Sequence, residues 1–247
     1  MHKELYAEMY RLEEEHWWFS AKRKIVLSVI SKFQTGKPKT SMKICDLGCG
    51  CGMMLVDLSH QGYEVFGIDS SQDAVDYCRK RNLPVKNCSI SKTDLPAESF
   101  DCVLLLDVLE HLDSEPEVLV EAEKILKKGG LLICTVPSYK WLWTERDNFH
   151  HHKRRYCRKQ LSNLFVSLTN MQILILSYMN TFLFPIAAVA RLYQKLFPSN
   201  KEPCDLFIPA MGINKIFRAV FAGERFFINN KISLPFGVSL ILVARKK

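Results

Sequence analysis

Between residues 43 and 137 short apolar runs alternate with longer amphipathic segments, and this alternation narrows the fold more than any other feature of the chain. The strand-like runs are 43–46, 63–68, 85–88, Phe100–Leu106 and 131–136. The segments 53–61, 71–81 and 115–126 carry the helical period, and Gly129-Gly130 closes the last of them. Strands separated by helices pair in parallel through crossovers, so the spacing predicts a doubly wound α/β sheet.

The flanks read differently. Residues 3–33 form one helix, polar in its first half and apolar through Ile25, Val26, Val29 and Ile30, and Gly36-Lys37-Pro38-Lys39 breaks it. Residues 1–39 are then an N-terminal helical lid on a domain spanning 40–247. After Pro137 the chain is aromatic and basic to residue 160, and 160–190 contains no Asp, Glu, Lys, Arg or His. The run 173–190 approaches membrane-spanning length, but Ser177, Asn180, Thr181 and Pro185 interrupt it. A split reading is preferred: a buried strand at 171–177 and a helix at 182–197 with an exposed apolar face. A second amphipathic helix follows at 211–228 and a last strand at 238–244. Residues 178–232 are an insertion that either builds an acceptor site or faces a membrane.

Apolar residues at 48% and charged residues at 24% suit an ordinary globular core and exclude a disordered chain. The net charge of +8 is uneven: residues 1–136 hold 17 basic and 21 acidic side chains, and 137–247 hold 17 and 5. The two halves therefore face different partners. Nine cysteines without a CxxC pair, and no signal-peptide pattern at the start, point to reduced thiols in a cytoplasmic protein, with peripheral contact on the inner face of a membrane left open. Cys45, Cys49 and Cys51 cluster without a distant matching pair, and the adjacent histidines 150–152 lack a separate carboxylate or thiol, so no metal is expected.

Asp46-Leu47-Gly48-Cys49-Gly50-Cys51-Gly52 follows the first strand and opens a helix. Glycines there allow a tight turn and close approach of a ligand to the backbone. No Lys follows, as a phosphate-binding loop requires, and Asp46 disfavours a pyrophosphate but suits a cation. Asp69 ends the second strand, where an acid accepts hydrogen bonds from a ribose diol. A ribose, a cationic centre and no pyrophosphate together describe S-adenosylmethionine.

With these blocks, and with 95–101, 106–112 and 129–137, the chain resembles the class I S-adenosylmethionine-dependent methyltransferases over roughly residues 40–140. The resemblance implies a Rossmann-like seven-stranded sheet with an antiparallel last strand, here carrying lid helices in front and the helical insertion before that strand. It implies cofactor contacts from Asp46, Gly48, Cys49, Gly50, Gly52, Asp69, Ser70, Asp107, Val108 and His111. Many relatives carry an acid after the third strand for the adenine amino group; here Ile90 takes that place, with Ser89 or Ser91 beside it. His16-Trp17-Trp18-Phe19 with Arg23, His152-Lys153-Arg154-Arg155-Tyr156, and 234–237 further resemble a bacterial type 11/12 subfamily akin to the ubiquinone O-methyltransferases. Arg23 is expected to reach the methionyl carboxylate and close the lid.

Methylation of a hydroxyl needs a base, and His152 follows the fifth strand, at the sheet edge where ligands sit. His152 is the expected base, Asp147 its orienting carboxylate and Tyr156 a further catalytic group, although His151 competes for the role. Arg154, Arg155 and Tyr139 are expected to hold an anionic acceptor. The implied function is O-methylation of a small, anionic or lipid-linked acceptor. The alternatives are an RNA methyltransferase, or a membrane-associated scaffold that keeps the cofactor without turnover. The absence of the Asn/Asp-Pro-Pro-aromatic motif of amino-group base methylases argues against nucleic acid.

Overall fold

A computed structural model describes residues 3–34, 36, 38–197 and 208–247. Lys37 of the expected linker and residues 198–207 of the expected insertion lie outside the described residues.

The helices α1 (Lys3–Glu15) and α2 (Trp17–Phe33) precede β1 (Lys43–Leu47). The alternation then runs α3 (Met53–His60), β2 (Glu64–Asp69), α4 (Gln72–Lys80), β3 (Val85–Asn87), β4 (Phe100–Leu106), α5 (Glu115–Ile125) and β5 (Leu126–Pro137). After it come α6 (Glu145–Phe149), α7 (Arg158–Leu168), β6 (Met171–Met179), α8 (Phe184–Leu196), α9 (Met211–Gly223), α10 (Arg225–Asn229) and β7 (Ser239–Lys246).

The seven strands form one sheet in the order β3-β2-β1-β4-β5-β7-β6. The first five are parallel, and β7 runs antiparallel to both β5 and β6. The expected fold is therefore present, antiparallel last strand included. The strand order reverses between β1 and β4, which opens a crevice beyond their C-terminal ends. Two apolar layers hold the sheet: α2, α3, α9 and α10 pack one face through Ile25, Leu55, Phe221 and Ile228, and α5 and α7 pack the other through Leu119 and Phe165. Each such fully buried side chain contributes about 1.5–3 kcal/mol of transfer free energy.

Several boundaries differ from the sequence reading. The single helix 3–33 breaks at His16, whose Nδ1 accepts the N–H of Trp18 and caps α2. The helix 211–228 divides at Glu224. The carboxylate of Glu224 is fully buried and accepts the N–H groups of Asn180, Thr181 and Phe182, a demand invisible to periodicity. Gly129-Gly130 does not close α5. The helix ends at Ile125, and the glycines lie in a bulge of β5 opposite Phe100–Cys102, with Gly129 at φ +74°. Helix α7 was not foreseen. The uncharged run 173–190 is divided between β6 and α8, and no helix among the described residues is long and apolar enough to cross a membrane.

Candidate active site

The loop 48–52 turns from β1 into α3 through three glycines at positive φ. Gly48 and Cys49 both donate to Ile68 O, at 2.7 and 3.0 Å, which locks the loop to the end of β2. A Cβ on Gly48 would stand 2.6 Å from Val108 Cγ2, and one on Gly52 would stand 2.5 Å from Leu83 Cδ1. The expected contacts Gly48 and Val108 are thus packed against each other across the crevice. Cys49 lies with its Sγ 3.9 Å from that of Cys78 under the loop.

Asp69 is buried at the end of β2, and its carboxylate accepts the N–H groups of Gly50 and Ser71, each at 2.9 Å. Burial pushes its pKa up, and the backbone hydrogen bonds from Ser71, Gly50 and Ser70 only partly offset this. Ile90 is buried just beyond β3. Asp46 is buried too, its Oδ1 has no hydrogen-bond partner, and burial together with the charge of Asp69 raises its pKa to about 7. Unpartnered buried carboxylate oxygen is costly unless a ligand meets it. Asp46, Asp69, Asp107 and Glu110 gather along this edge. Acid-rich walls, a glycine cradle and an orphaned carboxylate oxygen fit a cationic, ribose-bearing ligand such as S-adenosylmethionine.

The lid closes over this loop by contacts that the sequence reading missed. Cys51 Sγ donates to Tyr6 O at 3.4 Å, and Met9 Cε lies 3.7 Å from the position of a Cβ on Gly50. Tyr6 sits beside Ser71 and Asp69, and burial pushes its hydroxyl up to about 12. Arg81 on the far side of α4 pairs with Glu13 and stacks over Tyr10, its Cζ 4.1 Å from the ring centre.

The cation that enters the crevice is Lys22, not Arg23. Lys22 pairs with Asp107, which also accepts from Thr135 Oγ1 at 2.8 Å. Burial disfavours the charged Asp107, but Lys22 outweighs it and holds the carboxyl below its ordinary range. Arg23 instead donates from Nε to Asp57 Oδ2 at 2.7 Å and to Glu13 O, tying α2 to α3 and α1. Neighbouring helix positions point about 100° apart, and only packing decides between them.

At the other wall, His152 Nδ1 lies 2.8 Å from Asp147 Oδ1. Burial works against the charge of Asp147, yet the hydrogen bond from His152 and the guanidinium of Arg155 hold it well below the usual carboxylate range. An ionised partner accepts, so Nδ1 carries a proton; in the neutral imidazole form of this tautomer Nε2 keeps the lone pair. Arg155 was expected to clamp an acceptor. It is buried and donates to Asp147 Oδ1 and Ser138 O, at 2.8 and 3.0 Å, so it braces the carboxylate. Arg154 pairs with Glu115, and the Tyr156 hydroxyl donates to the same carboxylate at 3.1 Å. These two contacts fasten the segment to α5. Tyr139, at φ +53°, stacks on Tyr178 with ring centres 5.1 Å apart.

His111 faces His152 with ring centres 4.7 Å apart, and desolvation with the nearby His152 drives its pKa down to about 4. Glu110, overlooked in the sequence although it adjoins His111, is buried with both carboxylate oxygens lacking a hydrogen-bond partner. Glu110, His111 and His152 each bring a ligand atom within 4.8 Å of the others, a set able to hold a metal ion. The carboxylate thought missing from the histidine cluster is thus supplied from the turn after β4. His150 is driven down to about 3 by desolvation and Arg146, and His151 is exposed.

Comparison with known proteins agrees with this geometry. A family described as methyltransferase domain matches residues 45–134. The mitochondrial ubiquinone biosynthesis O-methyltransferase of Homo sapiens is 34% identical over 120 residues, covering 44% of this chain and 32% of that protein. The ubiquinone biosynthesis O-methyltransferase of Roseobacter denitrificans is 28% identical over 113 residues, covering 40% and 42%. The chain therefore spans well under half the length of these curated relatives. Among solved structures, a SAM-dependent methyltransferase from Archaeoglobus fulgidus superposes with a TM-score of 0.57 at 17% identity, over 91% of this chain and 94% of that one. A possible histamine N-methyltransferase from Thermotoga maritima superposes at 0.59 and 17%, over 99% and 96%; at such identities the likeness is one of fold. Fold, loop and family match define a class I, S-adenosylmethionine-dependent methyltransferase domain. Over that domain the chain is related to the ubiquinone O-methyltransferases.

Proposed function

We propose that the protein transfers a methyl group from S-adenosylmethionine to a hydroxyl of a small, anionic or lipid-linked acceptor, with His152 as the general base. The observation that carries this reading is the Asp147–His152 hydrogen bond at the edge of the carboxylate-lined crevice. When bound, S-adenosylmethionine supplies a methyl group on a positively charged sulfur. Asp69 has lone pairs left for a ribose diol, and Asp46 presents its unpartnered oxygen to positive charge. Nε2 of His152 would take the proton of the acceptor hydroxyl as its oxygen receives the methyl group, the electron pair of the S–C bond remaining with the cofactor's sulfur. Asp147 stabilises the imidazolium that results, and Arg155 keeps that carboxylate ionised and aimed. Such a base contributes roughly 10²–10⁴ in rate.

The names of the curated relatives support transfer to oxygen, and their match lies over the cofactor-binding domain. The acceptor class rests on this chain's own later half, basic and apolar together. The test is mass spectrometry of lipid and polar extracts incubated with protein and methyl-labelled cofactor. A labelled product heavier by one CH₂ in the lipid fraction supports the reading. Label on an amine or on RNA overturns it.

A further inference from the structure

We propose that α8, α9 and α10 form a docking face for the surface of an anionic lipid bilayer. Helix α8 is amphipathic, and none of its 13 residues is buried. Ile186, Val189, Tyr193 and Leu196 fall at helical spacing along one stripe, with Val189 67% and Leu196 74% exposed. A helix that buries no residue leaves that stripe without an apolar partner among the described residues. Met211 and Ile216 on α9 and Phe226 on α10 are also exposed.

Charge selects the occupant. Among the described residues of α8–α10 there is one acid, Glu224, and it is buried against the N–H groups of residues 180–182. The exposed charges on these helices and just after them are Lys195, Lys215, Arg225 and Lys231. Exposed apolar side chains together with exposed basic ones, and no exposed acid among the described residues of these helices, match the surface of an anionic membrane. A second copy of the chain would bring like charges together. No helix among the described residues is long and apolar enough to cross the bilayer.

The same helix touches the site. Arg191 lies on α8, donates to Leu142 O at 2.7 Å, and its Nη1 stands 3.5 Å from Asp147 Oδ2. Exposed Trp141 and Phe184 of α8 meet edge to face at 6.0 Å, and Trp141 stacks on Tyr139 beyond β5. A bilayer under α8 would therefore lie next to the elements that hold His152, which suits a lipid-linked acceptor. The docking itself does not depend on which atom is methylated.

Flotation of the full chain with phosphatidylcholine vesicles, with and without phosphatidylglycerol, tests this. The protein is expected to float with the anionic vesicles and to be released by salt. Val189→Glu with Leu196→Glu is expected to lower the bound fraction by about tenfold or more, because two inserted apolar anchors become charged. Val166→Glu, equally exposed but on α7, should leave flotation unchanged. Cofactor binding, read by calorimetry, should stay the same in both variants and reports that they are folded; Ile216→Glu on α9 replaces the double variant if that one does not fold. Absence of flotation, equal flotation of the double variant, or a dimer in gel filtration that the double variant dissociates would each overturn the proposal. Lost flotation with methyl transfer to a soluble acceptor retained supports docking, and flotation without methyl transfer in any fraction contradicts the methyltransferase reading alone.

Discussion

Asp147 accepts hydrogen bonds from both His152 and Arg155 on the same oxygen, Oδ1, each at 2.8 Å. One buried carboxylate thus orients a candidate base and neutralises a buried guanidinium. Asp147→Asn separates the two tasks. The asparagine still fits, but it no longer compels Nδ1 of His152 to carry the proton. We expect kcat to fall while cofactor affinity holds, and stability to drop by about 3–5 kcal/mol as the buried Arg155 loses its counter-charge. Steady-state kinetics and urea unfolding read the two effects separately.

Asp69→Ala should weaken cofactor binding by ~1–3 kcal/mol through lost hydrogen bonds. The N–H groups of Gly50 and Ser71 also lose their acceptor, so the loop loosens. Calorimetry measures the affinity; an unchanged value would refute the ribose assignment.

Gly48→Ala meets two obstacles, a φ of +82° and a contact of 2.6 Å to Val108 Cγ2. We expect a loss of about 1–3 kcal/mol of stability, from the left-handed backbone and the overpacking. Adding Val108→Ala should recover the packing part and leave the backbone part, as thermal melts of the single and double variants will show.

Asp46 titrates near 7, above the value of an unfolded aspartate at about 4. Its native form therefore keeps a proton that the unfolded chain has already lost. On its account the stability of the cofactor-free protein is full below about 4 and falls as pH rises towards 7. A cationic ligand favours the ionised form, so binding near pH 6 should release a proton, and affinity should fall about tenfold per unit below 7. Calorimetry in two buffers of different ionisation heat measures that release, and Asp46→Asn should abolish it.

The parts of this molecule that the sequence disclosed are those written in local chemistry. The glycine spacing at 48–52, the acid ending β2 and the run of alternating strands each follow from short-range rules, and the sheet and the cofactor edge came with them. The parts that escaped depend on contacts between distant segments. Whether Lys22 or Arg23 enters the crevice is settled by Asp57 and Glu13, which lie on other helices. The basic run Arg154-Arg155 looked like a free anion clamp because nothing near it in sequence shows Glu115 or the burial of Asp147. Glu110 was within reach: an acid adjoining His111 after a fully apolar strand is a candidate in its own right. The capping of α2 by His16 and the break at Glu224 likewise came from single polar residues overriding an apolar period.

The most direct measurement compares His152→Gln with the unaltered protein on two readouts, cofactor affinity and release of S-adenosylhomocysteine in the presence of the lipid extract. The account predicts equal affinity and a fall in release of roughly 10²–10⁴, as loss of a general base requires. Release at the same rate in His152→Gln would contradict it.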